Sequence, residues 1–501
     1  MIGRFVRSPV GVCLALALLL HLRQVSFLAE PHNRYMLHWR QIDAFALLST
    51  LVITAVVICL IHALLGGVAG GRLARLRSPF LMLIGVSAAV SFASRFDFLT
   101  HTGLSIAWWF GLVLVVVPSA VFAERMHPIL LRVGAAFSLV AFATFVQILV
   151  WRPWSGPRDS LSVSSLVESP GTPVYLFLFD EWSFERSFHG VRFREELPNL
   201  RGLQAESLTF LQAFAPAPDT EVSLPRLLFS RDENWTLEKE RGVAYWVQGD
   251  DRVPTAGSRQ LFGPFERAGY RTAMVGYYLP YRRLLGDGVD VARSVPHVPW
   301  GEDFWESLWL RSLESFRHLV GPEGIPDFIS SKKVAYSEHW RDINREIYGD
   351  VMQILNEWPE NTFLFSHWPV PHAPFVFEAD GSYRGAFQAD RVFGTEADYL
   401  RSLRNLDRIV GDLLGNLEAS GRLERSLLIL TSDHGWKKRD EVPIRVPLVI
   451  KWPHQREGVL VEGAFPTLAL PGLLESFAAG RRDIQDGLEY IAVHRIAMPE
   501  P

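Results

Sequence analysis

The chain has 501 residues, of which 49% are hydrophobic, and its net charge is -4. That length exceeds what one compact core organises, and the hydrophobic fraction is high for a purely soluble protein. Lysine and arginine form no basic patch, which excludes nucleic-acid binding as an interpretation. Both cysteines, Cys13 and Cys59, lie in apolar segments. The region after residue 150 can therefore form neither a disulfide nor a thiolate metal site.

Five apolar segments of roughly membrane-spanning length precede residue 151. They cover residues 10–28, 42–65, 80–92, 104–122 and 129–150. Positive charge flanks the first, second and fourth segments, at Arg4, Arg7, Arg72, Arg75, Arg77, Arg125, His127 and Arg132. The positive-inside rule places these flanks in the cytoplasm. Residues 1–150 are thus predicted to form a domain of about five transmembrane helices, with the rest of the chain outside the cytoplasm. A cleaved signal peptide at residues 1–29 is the alternative.

The rest of the chain reads as a linker followed by an α/β domain. Residues 151–170 contain prolines, glycine and serines without periodicity, which indicates a linker. Residues 171–501 then alternate between apolar strands and amphipathic helices. Strands are predicted at residues 174–179, 207–214, 270–278, 362–366, 427–430 and 446–451, and helices at 198–206, 333–356 and 397–418. This alternation predicts a mainly parallel sheet sandwiched by helices.

Polar side chains follow three of the predicted strands at their carboxyl ends. Asp180 follows residues 174–179, His367 and His372 follow 362–366, and Asp433 and His434 come after 427–430. Because parallel strands share their carboxyl edge, these side chains are expected to converge. Carboxylates with imidazole favour a divalent ion, zinc or manganese in preference to calcium or magnesium. Each residue also has an ordinary structural interpretation, such as Asp180 capping the next helix.

Together these motifs resemble the alkaline phosphatase superfamily, in its sulfatase-like branch, from residue 173 to about residue 480. The matching stretches are Pro-Asn-Leu at 198–200, Ala-Phe-Ala-Pro-Ala-Pro at 213–218, His-x-Pro-x-Pro-His-x-Pro-Phe at 367–375 and Ser-Asp-His-Gly at 432–435. The resemblance implies a nucleophile at Thr220 and a metal site formed by Asp180, Thr220, Asp433 and His434. It also implies substrate-binding roles for His372, His367 and Lys437.

The residue at position 220 narrows the resemblance. A sulfatase needs a cysteine or serine there for conversion to formylglycine, and Thr220 cannot form that aldehyde. Threonine followed by Val-Ser-x-Pro, at residues 222–225, resembles the lipid A phosphoethanolamine transferases. Threonine with five amino-terminal membrane helices resembles the lipoteichoic acid synthases. Asp180 departs from both, because those enzymes carry a glutamate as the first metal ligand.

The resemblance implies a membrane-anchored, metal-dependent transferase of the bacterial inner membrane, with its catalytic domain in the periplasm. Thr220 would attack a lipid-linked phosphodiester, form a phospho-threonine and pass the group to a cell-envelope glycan or lipid. The expected partners are therefore a membrane lipid donor and that acceptor. Two alternatives remain: a phosphodiesterase or sulfatase-like hydrolase at the same site, with water as acceptor, and a non-catalytic relative without a metal.

Overall fold

The computed structural model divides the chain into two compact units. The first contains residues 1–155 and 298–336, and the second contains residues 156–297 and 337–501. The residues that the structure describes are 9–29, 41–67, 73–93, 110, 112–150, 161, 171–232, 234–237, 244–248, 251–255, 260–295, 304–305, 307–309, 312, 331–385, 394–437 and 444–496. Apart from Leu161, the predicted linker at residues 151–170 lies outside this set.

The first unit is helical because leucine- and alanine-rich segments favour helices and leave few polar groups to interrupt them. Its helices are α1 (Pro9–Ala29), α2 (Gln41–Gly67), α3 (Arg77–Ala93), α4 (Val117–Val121) and α5 (Ala123–Val150), with a π-helical turn at Leu112–Val116. Helix α1 packs against α2, α3 and α5. Leu16, Leu20, Ile58 and Leu81 are among the buried side chains of this core.

One helix in the described part of the chain is long and apolar enough to cross a membrane, namely the Phe45–Gly66 part of α2. The predicted spans at residues 10–28, 80–92 and 129–150 coincide with helices α1, α3 and α5. Helix α3 has 17 residues, fewer than the approximately 20 that span a bilayer. The predicted span at 104–122 lies partly outside the described residues. The membrane-crossing helices, α2 included, therefore stay a prediction.

The second unit contains the strands. They are β1 (Val174–Phe179), β2 (Phe188–His189), β3 (Arg192–Phe193), β4 (Leu208–Phe214), β5 (Asn234–Leu237), β6 (Ala244–Gln248), β7 (Asp251–Pro254), β8 (Arg271–Tyr277), β9 (Val291–Val295), β10 (Thr362–Trp368), β11 (Leu427–Thr431), β12 (Arg445–Lys451), β13 (Val459–Val461) and β14 (Phe465–Pro466). Nine of these described strands form one sheet in the order β13-β4-β12-β11-β1-β10-β8-β9, with β14 also paired to β4.

This sheet is mixed. Strands β11, β1, β10, β8 and β9 are joined by parallel pairings, as predicted, whereas β12 runs antiparallel to both β11 and β4. The expectation of a mainly parallel sheet therefore needs one correction, at β12. An antiparallel neighbour requires no crossover helix, so apolar periodicity predicted the strand but left its direction open. The central strands β1 and β11 are buried at every residue, as expected of strands covered on both faces.

The remaining helices are α6 (Phe184–Ser187), α7 (Pro198–Gln204), α8 (Thr220–Phe229), α9 (Gly263–Arg267), α10 (Tyr281–Leu285), α11 (Ser331–Glu357), α12 (Glu396–Ala419), α13 (Leu470–Ala478) and α14 (Ile484–Val493). Helix α12 begins with a capping box between Thr395 and Asp398 and buries Leu403, Leu406 and Val410 on one face. The capping box satisfies backbone amides of the first turn. The apolar face holds the helix against the core.

Candidate functional site

The carboxyl edge of the sheet brings together four residues predicted from the sequence as metal ligands. Asp180 directly follows β1, and its amide continues the ladder by donating to the Trp368 carbonyl at 2.9 Å. Asp433 and His434 follow β11, and Thr220 is the first residue of α8. The exposed fractions are 2% for Asp180, 1% for Asp433, 1% for His434 and 8% for Thr220. These groups are therefore almost completely withdrawn from water.

The side chains form one cluster. The Thr220 hydroxyl donates to Asp433 Oδ2 at 2.6 Å, and Thr220 Oγ1 lies 3.2 Å from His434 Nε2. His434 Nε2 is also 3.6 Å from Asp433 Oδ2 and 3.7 Å from Asp180 Oδ1. Two ligands of one zinc ion are separated by at most about 4.4 Å, because each Zn–N or Zn–O bond is about 2.0–2.2 Å long. All of these separations lie within that range.

Counting protons indicates that the cluster suits a cation. His434 Nδ1 lies 2.9 Å from the Gly435 carbonyl. A carbonyl can only accept, so Nδ1 carries the proton and Nε2 presents its lone pair to Thr220 and the two carboxylates. Thr220 has a single hydroxyl proton, and it already donates this proton to Asp433. Buried acceptors that face one another without protons are costly, and a divalent ion would satisfy them.

Two further buried atoms point to the same space. Within the described part of the chain, Asp180 Oδ1 and His367 Nε2 are buried and make no hydrogen bond. One ligand atom each from Asp180, His367 and Asp433 lie within 4.8 Å of one another. The nitrogen and oxygen donors suit a hard or borderline ion. The residues therefore fit a divalent metal ion, which when bound would supply Lewis-acid stabilisation of developing negative charge.

The two histidines predicted to bind substrate differ in position. His367 does not follow its strand, because β10 continues to Trp368. The His367 side chain is fully buried, and its Nε2 lies 3.8 Å from Asp180 Oδ2. His372 is half-buried, with Nε2 3.9 Å from Glu181 Oε1. The structure therefore groups His367 with the buried carboxylates and leaves His372, of these two histidines, partly open to solvent.

Burial and neighbouring charges shift the pKa values in this cluster in opposite directions. Burial, followed by the charge of Asp433, raises the pKa of Asp180 to about 6. Burial opposes ionisation of Asp433 too, but His434, His367 and the Thr220 hydroxyl hold the pKa of Asp433 below its usual value. Burial lowers the pKa of His367 to about 4. His367 is therefore neutral near pH 7, as a metal ligand must be.

Thr220 also lies where an anion is stabilised. It opens α8, with Asp219 as the N-cap. Amides of a helix's first turn lack intrahelical acceptors, and the helix dipole adds positive potential there. Lys437 Nζ pairs with Asp219 Oδ1 at 2.7 Å, and its side chain is 46% exposed. This places the predicted substrate-binding lysine beside the residue that precedes Thr220.

Several aromatic side chains that were not predicted from the sequence hold the cluster. The Tyr277 hydroxyl donates to Asp180 Oδ2, and the Tyr281 hydroxyl lies 2.7 Å from His367 Nδ1. Tyr399 donates to the Glu181 carbonyl at 2.8 Å, and its ring stacks on Trp436. The run Tyr-Tyr-Leu-Pro-Tyr at 277–281, directly after an apolar strand, was the signal available for the first two.

Backbone strain also occurs at this edge. Glu181, directly after Asp180, has φ 59°, and Tyr278, directly after β8, has φ 73°. Residues with side chains rarely adopt such values, and strain of this kind clusters at functional sites. Glu181 is nevertheless held in place, because its amide faces Asp433 Oδ1 at 3.4 Å. The strained backbone turns the chain sharply just beyond the metal-binding carboxylates.

Comparison with known proteins identifies the family. The sulfatase family model matches residues 176–463, more than half of the chain. A curated relative is the N-acetylglucosamine-6-sulfatase of Capra hircus, which is 23% identical over an alignment of 276 residues. The coverage is 45% of this chain and 47% of the relative. This chain thus spans about half the length of that relative. The family match, at residues 176–463, lies in the region that forms the sheet and the site.

Solved structures of similar proteins include the phosphonate monoester hydrolase of Agrobacterium radiobacter, with 17% identity, a TM-score of 0.40, and coverage of 62% of this chain and 74% of that one. Another is a protein in the alkaline phosphatase superfamily from Vibrio parahaemolyticus, with 13% identity, a TM-score of 0.40, and coverage of 62% and 67%. The family match spans all the strands of the sheet's parallel core. The chain therefore belongs to the sulfatase family.

Proposed function

We propose that this protein is a membrane-anchored, metal-dependent transferase. It moves a phosphoryl-linked group, of the phosphoethanolamine or glycerol phosphate type, from a lipid donor to a glycan or lipid of the cell envelope. Thr220 carries the group between donor and acceptor as a covalent phospho-threonine. Asp180, Thr220, Asp433 and His434 would hold the divalent ion.

The observation that carries the proposal is the position of the Thr220 hydroxyl, 2.6 Å from Asp433 Oδ2 and 3.2 Å from His434 Nε2. No cysteine follows Cys59 in the sequence, so the cysteine route to formylglycine is closed. Ser223, one turn further along α8, donates its hydroxyl to the Asp433 carbonyl at 2.6 Å and is 1% exposed. That leaves Thr220 as the hydroxyl for covalent catalysis in this cluster.

The mechanism follows from the groups around Thr220. As Thr220 Oγ1 forms its bond to phosphorus, Asp433 Oδ2 takes the hydroxyl proton along the existing hydrogen bond, and the bond to the lipid alcohol breaks. First-turn amides of α8 and Lys437 face the phosphoryl oxygens and stabilise their charge. His372, on the open side of the site, gives the departing lipid oxygen its proton. An acceptor hydroxyl then attacks phosphorus and gives its proton to His372, while the bond between phosphorus and Thr220 Oγ1 breaks and Asp433 returns the proton to that oxygen.

The membrane anchor draws support from the first unit. Beyond its core-facing side, helix α2 exposes Val52, Ile53, Val56, Leu60, Ile61 and Leu64. Exposed apolar side chains on a helix this long are unfavourable in water and favourable against lipid. The anchor would keep the catalytic domain beside a lipid donor. A reporter fused after Pro157 should be active only outside the cytoplasm, and cytoplasmic activity would reverse the proposed orientation.

A hydrolase is the second function that a specific observation favours. The matched family is named for sulfatases, and the same buried cluster would serve if water replaced the acceptor hydroxyl. In that case the phosphorylated threonine would form equally, and only its partner in the second step would differ. The two functions therefore share Thr220 and diverge at the acceptor.

The test is intact-mass analysis of the purified full-length protein after incubation with phosphatidylethanolamine or phosphatidylglycerol and zinc or manganese. We expect an adduct with the mass of the transferred head group on Thr220. Thr220→Ser should retain measurable turnover because it keeps the oxygen. Thr220→Ala should form no adduct and lose several orders of magnitude in rate, as when a covalent nucleophile is removed.

Ser223→Ala is the matched control, because it removes a neighbouring hydroxyl of the same helix that donates to the backbone carbonyl of Asp433 and not to its carboxylate. It should keep the adduct. If Thr220→Ala turned over at close to the parental rate, an activated water would be the nucleophile and the transferase mechanism would be abandoned. Adduct formation without transfer to any added glycan or lipid would favour the hydrolase.

A further inference from the structure

His367 and Tyr281 form a buried pair that the family resemblance leaves without a shared role. Both side chains are fully buried. The Tyr281 hydroxyl lies 2.7 Å from His367 Nδ1 and donates to the Tyr277 carbonyl at 3.1 Å. On the other side of the imidazole, Nε2 makes no hydrogen bond within the described residues and faces Asp180 Oδ2 at 3.8 Å.

The hydrogen bonds of Tyr281 determine which ring nitrogen of His367 carries the proton. A tyrosine hydroxyl has one proton and can also accept. Because that proton goes to the Tyr277 carbonyl, the oxygen of Tyr281 accepts from Nδ1–H. The imidazole proton is then on Nδ1, and Nε2 presents a lone pair toward the carboxylates.

The opposite tautomer fits the surroundings poorly. It would place an N–H on Nε2, and the nearest described carboxylate oxygen, at 3.8 Å, is beyond hydrogen-bonding distance. A buried donor without an acceptor is unfavourable. The lone pair on Nε2, in contrast, is what a cation between Asp180 and Asp433 requires.

We propose that His367 is a metal ligand and that Tyr281 is the positioning residue that fixes its tautomer. His367 thus supplements Asp180, Asp433 and His434 instead of binding substrate. The inference rests on the proposed function only for the presence of an ion, and it holds whether the enzyme transfers the group or hydrolyses the ester.

The same short segment orients two members of the cluster. Tyr277 ends β8 and Tyr281 begins α10. The Tyr277 hydroxyl holds Asp180 Oδ2, while its ring stacks on the His367 imidazole with centroids 4.8 Å apart. Residues 277–281 therefore fix both a carboxylate and an imidazole. Hydrogen bonds of this kind to metal ligands typically change metal affinity 10- to 100-fold when removed.

The experiment measures metal binding without substrate, on full-length protein. Zinc affinity is measured by titration, and electron spin-echo modulation of the copper(II)-loaded protein counts coordinated imidazoles through their remote nitrogens. We expect two imidazoles in the parental protein and one in His367→Gln. Tyr281→Phe should lower zinc affinity about tenfold or more and change the modulation from one remote nitrogen, which has lost its hydrogen-bond acceptor.

Tyr270→Phe is the matched control. Its hydroxyl also donates to a backbone carbonyl, that of Thr172 at 2.9 Å, but Tyr270 precedes β8 and lies at the other end of that strand. It should leave affinity and spectrum unchanged, and thermal unfolding confirms that each variant is folded. Parental affinity and spectrum in Tyr281→Phe, or two imidazoles in His367→Gln, would overturn the inference. Absence of an adduct on Thr220 would not affect either measurement.

Discussion

The two edges of the central sheet carry charge in contrasting ways. At the carboxyl edge, Asp180 and Asp433 are at most 2% exposed. Both carboxylates lie near His434 Nε2, and the cluster has too few protons to satisfy every acceptor. At the amino edge, where β10 and β11 begin, Arg425 pairs with Glu360 at 2.8 Å, and both side chains are at least 40% exposed. The charges of Asp180 and Asp433 at the carboxyl edge are thus buried, whereas those of the Arg425–Glu360 pair at the amino edge are solvated.

The contrast separates function from stability. Ionised groups removed from water cost several kcal/mol each unless they are paired, so the carboxyl edge lowers the stability of the metal-free protein. Exposed ion pairs contribute only about 0–1 kcal/mol. The Arg425–Glu360 pair at the amino edge therefore changes the free energy of unfolding little in either direction. A fold retains a costly cluster where the cluster binds or reacts. Substitutions at the two edges should therefore differ in both the kind and the size of their effects.

The largest effect is expected from Asp433→Asn. Asp433 accepts the Thr220 hydroxyl and the His434 amide, so it holds the proposed nucleophile and a neighbouring ligand. Asparagine keeps the shape but removes a charged ligand. We expect metal content, measured by elemental analysis, to fall well below the parental value and turnover to fall by several orders of magnitude. Circular dichroism should show that the fold is kept.

Asp407→Asn is the matched control for that variant. Asp407 is another buried aspartate, 3% exposed, but it accepts from the amides of Asn199 and Leu200 and so ties α12 to α7. Its substitution should lower the free energy of unfolding and leave metal content unchanged. Full metal content in Asp433→Asn would remove Asp433 from the metal site, and equal metal loss in both variants would show that any buried aspartate matters.

Much of this contrast could be predicted from the sequence. Apolar runs that end in Asp180 and in Asp433-His434 predicted buried strands and their shared edge, and the structure has both strands parallel and adjacent. The resemblance to the sulfatase-like branch is confirmed by the family match. The structure also brings Thr220 to these carboxylates, although its role as nucleophile stays a prediction.

The rest depended on tertiary contacts. Strand β10 extends two residues beyond its apolar run, and alternation along a strand decides which way His367 points. Tyr277 and Tyr281 reach the cluster from the end of β8 and the start of α10, so their hydrogen bonds depend on the place of β8 in the strand order, which residue spacing does not determine. The direction of β12 was open for the same reason. The number of membrane-crossing helices stays open because apolar length indicates a helix more directly than it indicates a membrane.

A smaller effect, of opposite sign on stability, is expected from Asp180→Asn. Burial and Asp433 raise the pKa of Asp180 to about 6, so in the metal-free protein its ionised form opposes folding. Protonated Asp180 makes its full contribution to the free energy of unfolding below the pKa that this carboxyl has in the unfolded state. That contribution is lost as the pH rises through about 6. Asparagine cannot ionise, and it can still accept from Tyr277. At pH 7.5 the metal-free variant should therefore be more stable than the parental protein, on the order of 2 kcal/mol.

The check is chemical denaturation of both proteins after chelation, at several pH values. The stability difference should shrink as the pH falls through 6. Added zinc should stabilise the parental protein and not the variant, because ligand binding to the folded state raises its stability. A metal-free variant less stable than the parental protein at pH 7.5 would mean that ionised Asp180 is satisfied without an ion. Buried charge at the carboxyl edge would then not lower the stability of the metal-free protein.

The smallest effect is expected at the amino edge, from Arg425→Ala. Its guanidinium pairs with Glu360 and donates to the Gly421 carbonyl at 3.1 Å near the end of α12. The ion pair is solvated and screened by salt, so its loss should cost less than about 1 kcal/mol, and this cost should diminish further in 1 M salt. Glu360→Ala removes the same pair from the other side and should match it in urea denaturation. Neither substitution should alter metal content or the adduct on Thr220. Because Arg425 and Glu360 are exposed and already paired, a large loss of turnover in either variant would show that this edge takes part in the reaction and that burial of charge is not what distinguishes the functional edge.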